Sequence, residues 1–501
     1  MNTTLTPQCV FPILSAEEAA DLIQHGQTLG CSGFTLAGAP KAIPRALAEK
    51  AIAEHSEQRD FKLGIITGAS TGASLDGSLA EADAISFRTP FQTERKLREN
   101  INRGLCRFFD LHLGQLPAYV ERGWLGKINW ALIEAAEVGA DGTIVPTTSV
   151  GASPSFCKVA DRILIELNHY HPAAIRGFHD ITCNKRSPNA DILKLSKVDD
   201  RMGSDAIRVD PAKIVGIVET HEKDETNHFK SSDYTTQLLG QNVAEFILSE
   251  SRRGHFSSGL LPVQAGVGNV SNALLEAMSA NPKLQKFSMF SEVLQDTVIE
   301  AIKSERIQFG SATSWRLSES SLQDIYQNLD FFKQRLILRS QDISNNPEII
   351  SRLGLIAINT ALEVDFSGNV NSTHIMGSDI VNGIGGSGDF ARNAYISIFC
   401  CPSIAKNGTI STIVPRVTHT DHSEHSVHVI ITEQGIADLR GKDPRQRAEC
   451  IIKNCAHPSY RDLLRFHLNQ QPGGHTPFDI DNPFPLHINY RNRGNMQDYG
   501  N

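Results

Sequence analysis

An α/β fold of two mostly parallel units is the architecture this chain predicts, and three observations predict it. Short runs rich in β-branched residues alternate with helix-patterned stretches, which demands crossover connections between parallel strands. A second half repeats the same grammar after a polar interruption at residues 221–233. The chain is 501 residues long, more than one hydrophobic core holds, so about two or three domains are expected. The division is placed at 1–222 and 223–501, with a natural crevice between two units of similar style.

In chain order, Ser15-Ala-Glu-Glu18 reads as a capping box that opens a helix through Ile23. A strand-like run enters the glycine-rich turn Gly30–Pro44, and an Ala-rich helix follows to about Glu54. FKLGIITGAS is a strand entering a second glycine turn, and Ile128–Ala135, Arg162–Leu167 and Lys213–Thr220 are further strands. The polar run 221–233 reads as a linker. The second half opens with a helix near Gln237–Ser249 and continues through GVGN, a strand, Glu292, a helix, and the strands GLIAIN, YISIFC, TIVP and VHVIIT. The tail after Pro472, rich in Asn, Pro, Gly and Arg, reads as extended and surface-bound.

Composition excludes several classes. A net charge of -8 gives no general reason to expect nucleic acid or an anionic membrane as partner. The nine cysteines are scattered and form no CxxC pair, which points to reduced thiols in a cytoplasm and away from a disulfide framework or zinc ribbon. No signal peptide and no membrane-span-sized apolar run is expected.

Chemistry is expected in KFSMFSEVLQD (286–296). Phe287 and Met289 alternate as in a strand, whereas Phe290, Val293, Leu294, Val298, Ala301 and Ile302 fit one helical face. Glu292 therefore falls at a strand-to-helix junction, where open α/β sheets place their ligands. A carboxylate at a helix start is favoured in its ionised form, ready to act as nucleophile or base. It is equally what an idle first-turn glutamate would look like.

Two glycine turns weigh on that choice. In QAGVGNVSNALLEAM, Gly266 and Gly268 allow close backbone approach ahead of a helix, although Ser271 stands where a dinucleotide fingerprint needs its third glycine. No GxxxxGK[ST] occurs, which excludes a P-loop. NGIGGSGDF carries Gly383, Gly385, Gly386 and Gly388, a density that marks backbone in contact with a ligand and able to donate to an oxyanion. GASTG (68–72) matches the serine-hydrolase elbow, but too early in the chain and ahead of a glycine-broken stretch. His419, His422, His425 and His428 recur every third residue, yet Pro415 before them and VHVIIT after them favour hydrogen-bonded structural histidines over a metal site. Asn345 and Asn346 are turn residues by composition, and an amide there can also polarise a carbonyl.

Taken together, SGFTLAGAPKAIP, IELNHYHP, GVGNVSNALL, FSEVLQD, SNNPEIISRLG, GNVNSTH, NGIGGSGDFARNAY, HTDHSEHSVHVIITEQGIADLRG and NCAHPSYRDLL resemble the acetyl-CoA hydrolase/transferase family, the class I CoA-transferases. The resemblance spans residues 32–464. It implies two open α/β domains with the active site in the crevice between them, and Glu292 as the nucleophile that becomes a glutamyl-CoA thioester. It implies Gly386 N–H and Asn345 as oxyanion donors, and Glu433 as a carboxylate close to the nucleophile. It implies CoA contacts from Val267, Gly268, Asn269, Val270, Ser271, Leu362, Gly386 and Lys406. Ser70 and Arg88 are candidates for gripping the substrate carboxylate. The implied activity is CoA transfer between short-chain acids such as succinate, acetate and propionate, or acyl-CoA hydrolysis at the same site. No metal is implied, and a cytoplasmic homodimer is expected.

Overall fold

The computed structural model describes residues 11–182, 184–226, 233–256, 259–470 and 473–497. The chain forms two compact units. Unit 1 comprises residues 1–195, 199–227 and 311–344, and unit 2 comprises 196–198, 228–310 and 345–501. The chain thus leaves unit 1 after Asn227 and returns to it for residues 311–344.

Unit 1 is built on a parallel sheet. Its order is Ile214–Thr220, Arg162–Asn168, Trp130–Val138, Thr28–Cys31, Leu63–Thr67, Ile85–Thr89 and Arg107–Phe108. Each neighbouring pair in that series is parallel. Leu63–Thr67 is buried at every position, as a strand covered on both faces must be. One face packs Leu29, Ile65, Leu132 and Leu164 against Ile43 and Leu47 of the helix Ala42–Ser56. The first helix, Ala16–Asp21, has the expected capping box from Ser15 and Glu18.

Unit 2 follows the same plan. Its strands run Gly435–Asp438, Val429–Thr432, Ile396–Cys400, Ile356–Thr360, Val263–Ala265 and Phe287–Phe290. All these neighbours are parallel except the hairpin between the first two. From Val263–Ala265 one connection leads outward to Phe287–Phe290, whereas Ile356–Thr360 and the strands after it are laid down on the other side. This reversal of strand order is where open sheets leave a crevice at their carboxyl ends. Phe399 and Ile430 pack on Ile451, Leu464 and Leu486 to close one face.

Three expectations need correcting. Val293–Gln295 is a short strand, and the helix starts only at Asp296, so Val293 and Leu294 do not share a helical face with Val298. The tail contains the helix Pro485–Arg493, with Leu486 and His487 buried, and is not extended there. The polar run after His221 is not a loose linker in its first part: Glu222 pairs with Arg45, Asp224 accepts from Gly38 N at 2.9 Å, and Glu225 accepts from Ser74 N at 3.1 Å. Residues 227–232 of that run lie outside the described residues. Among the described residues no helix is long and apolar enough to cross a membrane.

Candidate active site

The carboxyl ends of the unit 2 strands collect the sequence-predicted residues. Val263–Ala265 runs into Gly266-Val267-Gly268, Phe287–Phe290 into Ser291-Glu292, Ile356–Thr360 into Leu362, and Val429–Thr432 into Glu433. Adjacent parallel strands end side by side, so residues far apart in sequence meet at one edge. The turn and the Glu292 segment are tied together. Ser291 Oγ donates to Ala265 O at 3.0 Å, Gln295 Nε2 donates to Gly266 O at 3.2 Å, and Gly268 N–H donates to Gln295 Oε1 at 3.1 Å.

Glu292 is 8% exposed and holds two donors. Asn345 Nδ2 donates to Glu292 Oε1 at 3.0 Å, and the backbone N–H of Gly386 also donates to the carboxylate. Asn345 Nδ2 also donates to Asp389 Oδ2 at 3.2 Å, which fixes which end of the amide faces Glu292. Asp389 is 6% exposed and lies in the short helix Ser387–Ala391, which Gly386 opens. Sequence reading missed it, although it stands within GGSGDF. Asn346, by contrast, caps the helix Pro347–Leu353 and has a structural task.

Gly386 is required by close approach rather than by its backbone angle, since its φ is -96. A Cβ there would run into Glu292 Oε1 and Asn345 Nδ2. Gly268 is the opposite case. Its φ of +123 disfavours any side chain, and among the described residues nothing beyond its chain neighbours lies within 4 Å of where a Cβ would stand, so the turn faces open space.

Burial pushes the Glu292 carboxyl up to about 7, against the pull of its Asn345 and Gly386 hydrogen bonds. This corrects the expectation of a carboxylate kept ionised by a following helix. The helix begins four residues later, and desolvation dominates. A desolvated carboxylate held by two donors is a stronger nucleophile than a solvated one when ionised. The same donors sit where negative charge would develop on Glu292 itself if its carbonyl carbon were attacked.

Residues 11–219 match the acetyl-CoA hydrolase/transferase N-terminal domain, and residues 322–468 match the C-terminal domain of the same family. The chain belongs to the acetyl-CoA hydrolase/transferase family. It is 46% identical to propanoyl-CoA:succinate CoA transferase of Escherichia coli, over 96% of this chain and 98% of that one. It is 41% identical to succinyl-CoA:acetate CoA-transferase of Clostridium kluyveri (97% and 90% covered) and 39% identical to acetyl-CoA hydrolase of Candida glabrata (97% and 95% covered). In fold it is similar to RipA from Yersinia pestis, with a TM-score of 0.70 at 21% identity, covering 92% of this chain and 97% of that one. A 4-hydroxybutyrate CoA-transferase from Porphyromonas gingivalis gives a TM-score of 0.62 at 20% identity with the same coverage. This chain is an enzyme of that family with an α/β fold.

The remaining residues implied by the family resemblance fall as follows. Asn269, Val270 and Ser271 form the first turn of the helix Asn269–Ala280, capped by Gly268. Ser271 is buried, and its hydroxyl has no hydrogen-bond partner among the described residues. Leu362 is 39% exposed, an apolar side chain left in solvent beside the strand end. Lys406 is exposed, and its ammonium donates to the Tyr490 hydroxyl at 2.9 Å. Glu433 accepts from Ser403 N at 2.8 Å, from Ser403 Oγ and from Gln434 Nε2 at 3.0 Å, so its carboxylate fastens the ends of two strands.

In unit 1, Ser70 is 3% exposed. Arg88 is fully buried and committed to Asp76 through Nε–Oδ1 at 2.8 Å and Nη2–Oδ2 at 3.0 Å, with further bonds to the carbonyls of Ala69 and Thr89. It has no face left for a substrate carboxylate, which corrects that candidacy.

Two groups of metal-capable side chains occur among the described residues. In Glu134, His171 and Asp224 the Lys41 ammonium already supplies the cation, 2.5 Å from Glu134 and 3.8 Å from Asp224. In His374, His419 and Asp421 the carboxylate takes the Thr373 hydroxyl at 2.8 Å and Ser372 N–H at 2.6 Å. Of the spaced histidines, His422 contacts Ser387 Oγ at 3.1 Å and packs against the Phe399 ring at 4.6 Å, tilted by 38°, while His428 Nδ1 accepts from Ser397 N at 3.1 Å. Those two have structural partners.

Proposed function

We propose that this enzyme moves CoA between short-chain carboxylic acids through a covalent thioester on Glu292. The observation that carries the reading is the buried Glu292 carboxylate, held by Asn345 Nδ2 at 3.0 Å and by Gly386 N–H at the carboxyl edge of a parallel sheet. The ionised Glu292 attacks the acyl-CoA carbonyl, the C–S bond breaks, and CoA leaves as thiolate. The product is a mixed anhydride of Glu292 and the acyl group. The thiolate then attacks the Glu292 carbonyl carbon, the acid departs as carboxylate, and Glu292 carries CoA as a thioester. An acceptor carboxylate reverses both steps and leaves with CoA.

Each attack on the Glu292 carbonyl places negative charge on an oxygen that already faces two donors. One such donor is worth about 10²–10³ in rate. The anhydride is high in energy, and binding of the large CoA handle away from the reacting atoms offsets that cost. Val267 to Ser271, Leu362, Gly386 and Lys406 are assigned to that handle; Glu433 acts indirectly, by fixing the strand ends through Ser403. The named relatives favour succinate, acetate and propionate as acids, and the reading includes a cytoplasmic homodimer that uses no metal. The relatives named acetyl-CoA hydrolase support a second outcome, in which water replaces the acceptor acid.

Intact mass after incubation with acyl-CoA tests the mechanism. A gain equal to CoA, reduced by borohydride at Glu292 alone and lost in Glu292→Ala together with turnover, is expected. Near-normal transfer by Glu292→Ala would refute it. Turnover with and without added acetate or succinate separates transfer from hydrolysis.

A further inference from the structure

The turn that carries Lys406 is held from behind by the last described stretch of the chain, which lies beyond the residues matched to the family's C-terminal domain. Lys406 and Asn407 both have positive φ, +45 and +55. Non-glycine residues keep such angles only when their surroundings impose them. Here the surroundings are specific. Met496 N–H donates to Thr409 O at 2.9 Å, and Ser411 N–H donates to Met496 Sδ at 3.3 Å. Tyr460 hydroxyl donates to Gly408 O at 2.8 Å. Met496 is buried in the same apolar core as Leu486, so the stretch is anchored at both ends.

The helix Pro485–Arg493 adds two side-chain contacts, one turn apart. Tyr490 hydroxyl accepts from Lys406 Nζ at 2.9 Å, and the ammonium lies 5.3 Å from the Tyr490 ring centroid. His487 Nε2 meets Glu363 Oε2 at 2.7 Å, and Glu363 also takes Asn371 Nδ2 at 2.8 Å and Thr418 N–H at 2.7 Å. Glu363 directly follows Leu362, whose N–H donates to Asn371 O at 2.8 Å. One helix therefore braces both the Lys406 turn and the Leu362 segment.

We propose that residues 485–497 are a positioning strap, and that Tyr490 holds the Lys406 ammonium in place for an anionic group of the CoA handle. The inference rests on the reading that Lys406 faces that handle. An ammonium has three donors; Tyr490 engages one and leaves two for a phosphate. A lysine already held loses less rotamer freedom on binding than a mobile one, and immobilising one such side chain changes affinity by about twofold to tenfold. Tyr490 acts through Lys406 and is a positioning residue, not a catalytic one.

The test is steady-state kinetics of Tyr490→Ala, Tyr490→Phe and Lys406→Ala in the full chain, with circular dichroism as a folding check. Tyr490→Ala should raise KM for acyl-CoA about twofold to tenfold, leaving the acceptor KM within about twofold. Tyr490→Phe, which keeps the ring and loses the hydroxyl, should fall between. An acyl-pantetheine thioester without phosphates should be used equally well by all three variants and the parent. A rise in KM for Lys406→Ala with none for Tyr490→Ala would overturn the strap and leave the CoA reading of Lys406 standing. An unchanged KM in Lys406→Ala would overturn both.

Discussion

The position of the Glu292 carboxyl, raised by burial to about 7, makes the acyl-CoA step sensitive to pH in the neutral range. Only the ionised form attacks a thioester. At pH 6 about one-tenth of free enzyme is competent and at pH 8 about nine-tenths, so kcat/KM for acyl-CoA should climb about tenfold per unit and level off near pH 7. The Asn345 amide, 3.0 Å from Oε1, favours the charged form. A hydrogen bond to a charged group is worth about 1.5–3 kcal/mol, so its removal should raise the inflection by about 1–2 units. Asn345→Ala also loses an oxyanion donor, which lowers the plateau by about 10²–10³. The two effects separate in one experiment: the pH profile of kcat/KM for acyl-CoA in parent and variant, where plateau height reads the donor and inflection reads the carboxyl. A parent inflection below about pH 5.5 would refute the argument that burial sets this group, and a variant whose plateau falls while its inflection stays put would refute the pull assigned to the Asn345 hydrogen bond.

Three further outcomes follow from the same geometry. Gly386→Ala keeps an allowed backbone angle but drives a methyl into Glu292 and Asn345, so kcat/KM should fall by at least about 10²-fold with the circular dichroism spectrum unchanged. A carboxyl that keeps its proton to about pH 7 when folded, and loses it near 4.5 when unfolded, weakens the fold as pH rises through that interval. Glu292→Gln should therefore gain stability over the parent, by an amount on the order of 3 kcal/mol at pH 8 and little at pH 4; equal urea midpoints at both pH values would contradict this. Arg88→Ala strands the buried Asp76 carboxylate and should cost about 3–5 kcal/mol of stability, read by urea denaturation, while the folded fraction keeps the parent's KM for acceptor acid.

Much of the fold was legible in the chain because parallel strands buried on both faces leave plain β-branched runs. Within FKLGIIT and YISIFC, Leu63–Thr67 and Ile396–Cys400 are strands buried at every position. Glu292 was legible because Phe287 and Met289 alternate and the pattern then breaks. What came next was not: Val293 and Leu294 suit strand or helix equally, and only the structure shows that a strand intervenes before Asp296. The commitment of Arg88 to Asp76 is not legible, because a buried ion pair with a residue twelve positions away leaves no periodic mark. The helix in the tail is not legible because Asn, Pro and Gly dominate the composition there, while a few buried residues, Leu486, His487 and Met496 among them, dock it. Asp389 leaves no mark of its own, because the density of glycines around it points to the backbone and not to the one carboxylate among them.

The excursion of residues 311–344 into unit 1 has a consequence for how the nascent chain matures. Phe178 awaits Trp315, against which its ring stands edge-on at 4.9 Å, and Asp180 awaits the guanidinium of Arg339. A ribosome that has released everything up to Asn227 has therefore made a unit that is still unfinished, with a buried acid that lacks the guanidinium of Arg339. Glu292 and Asn345 lie on opposite sides of the excursion in the gene, so translation must deliver the missing piece of the first unit before the nucleophile can meet its amide.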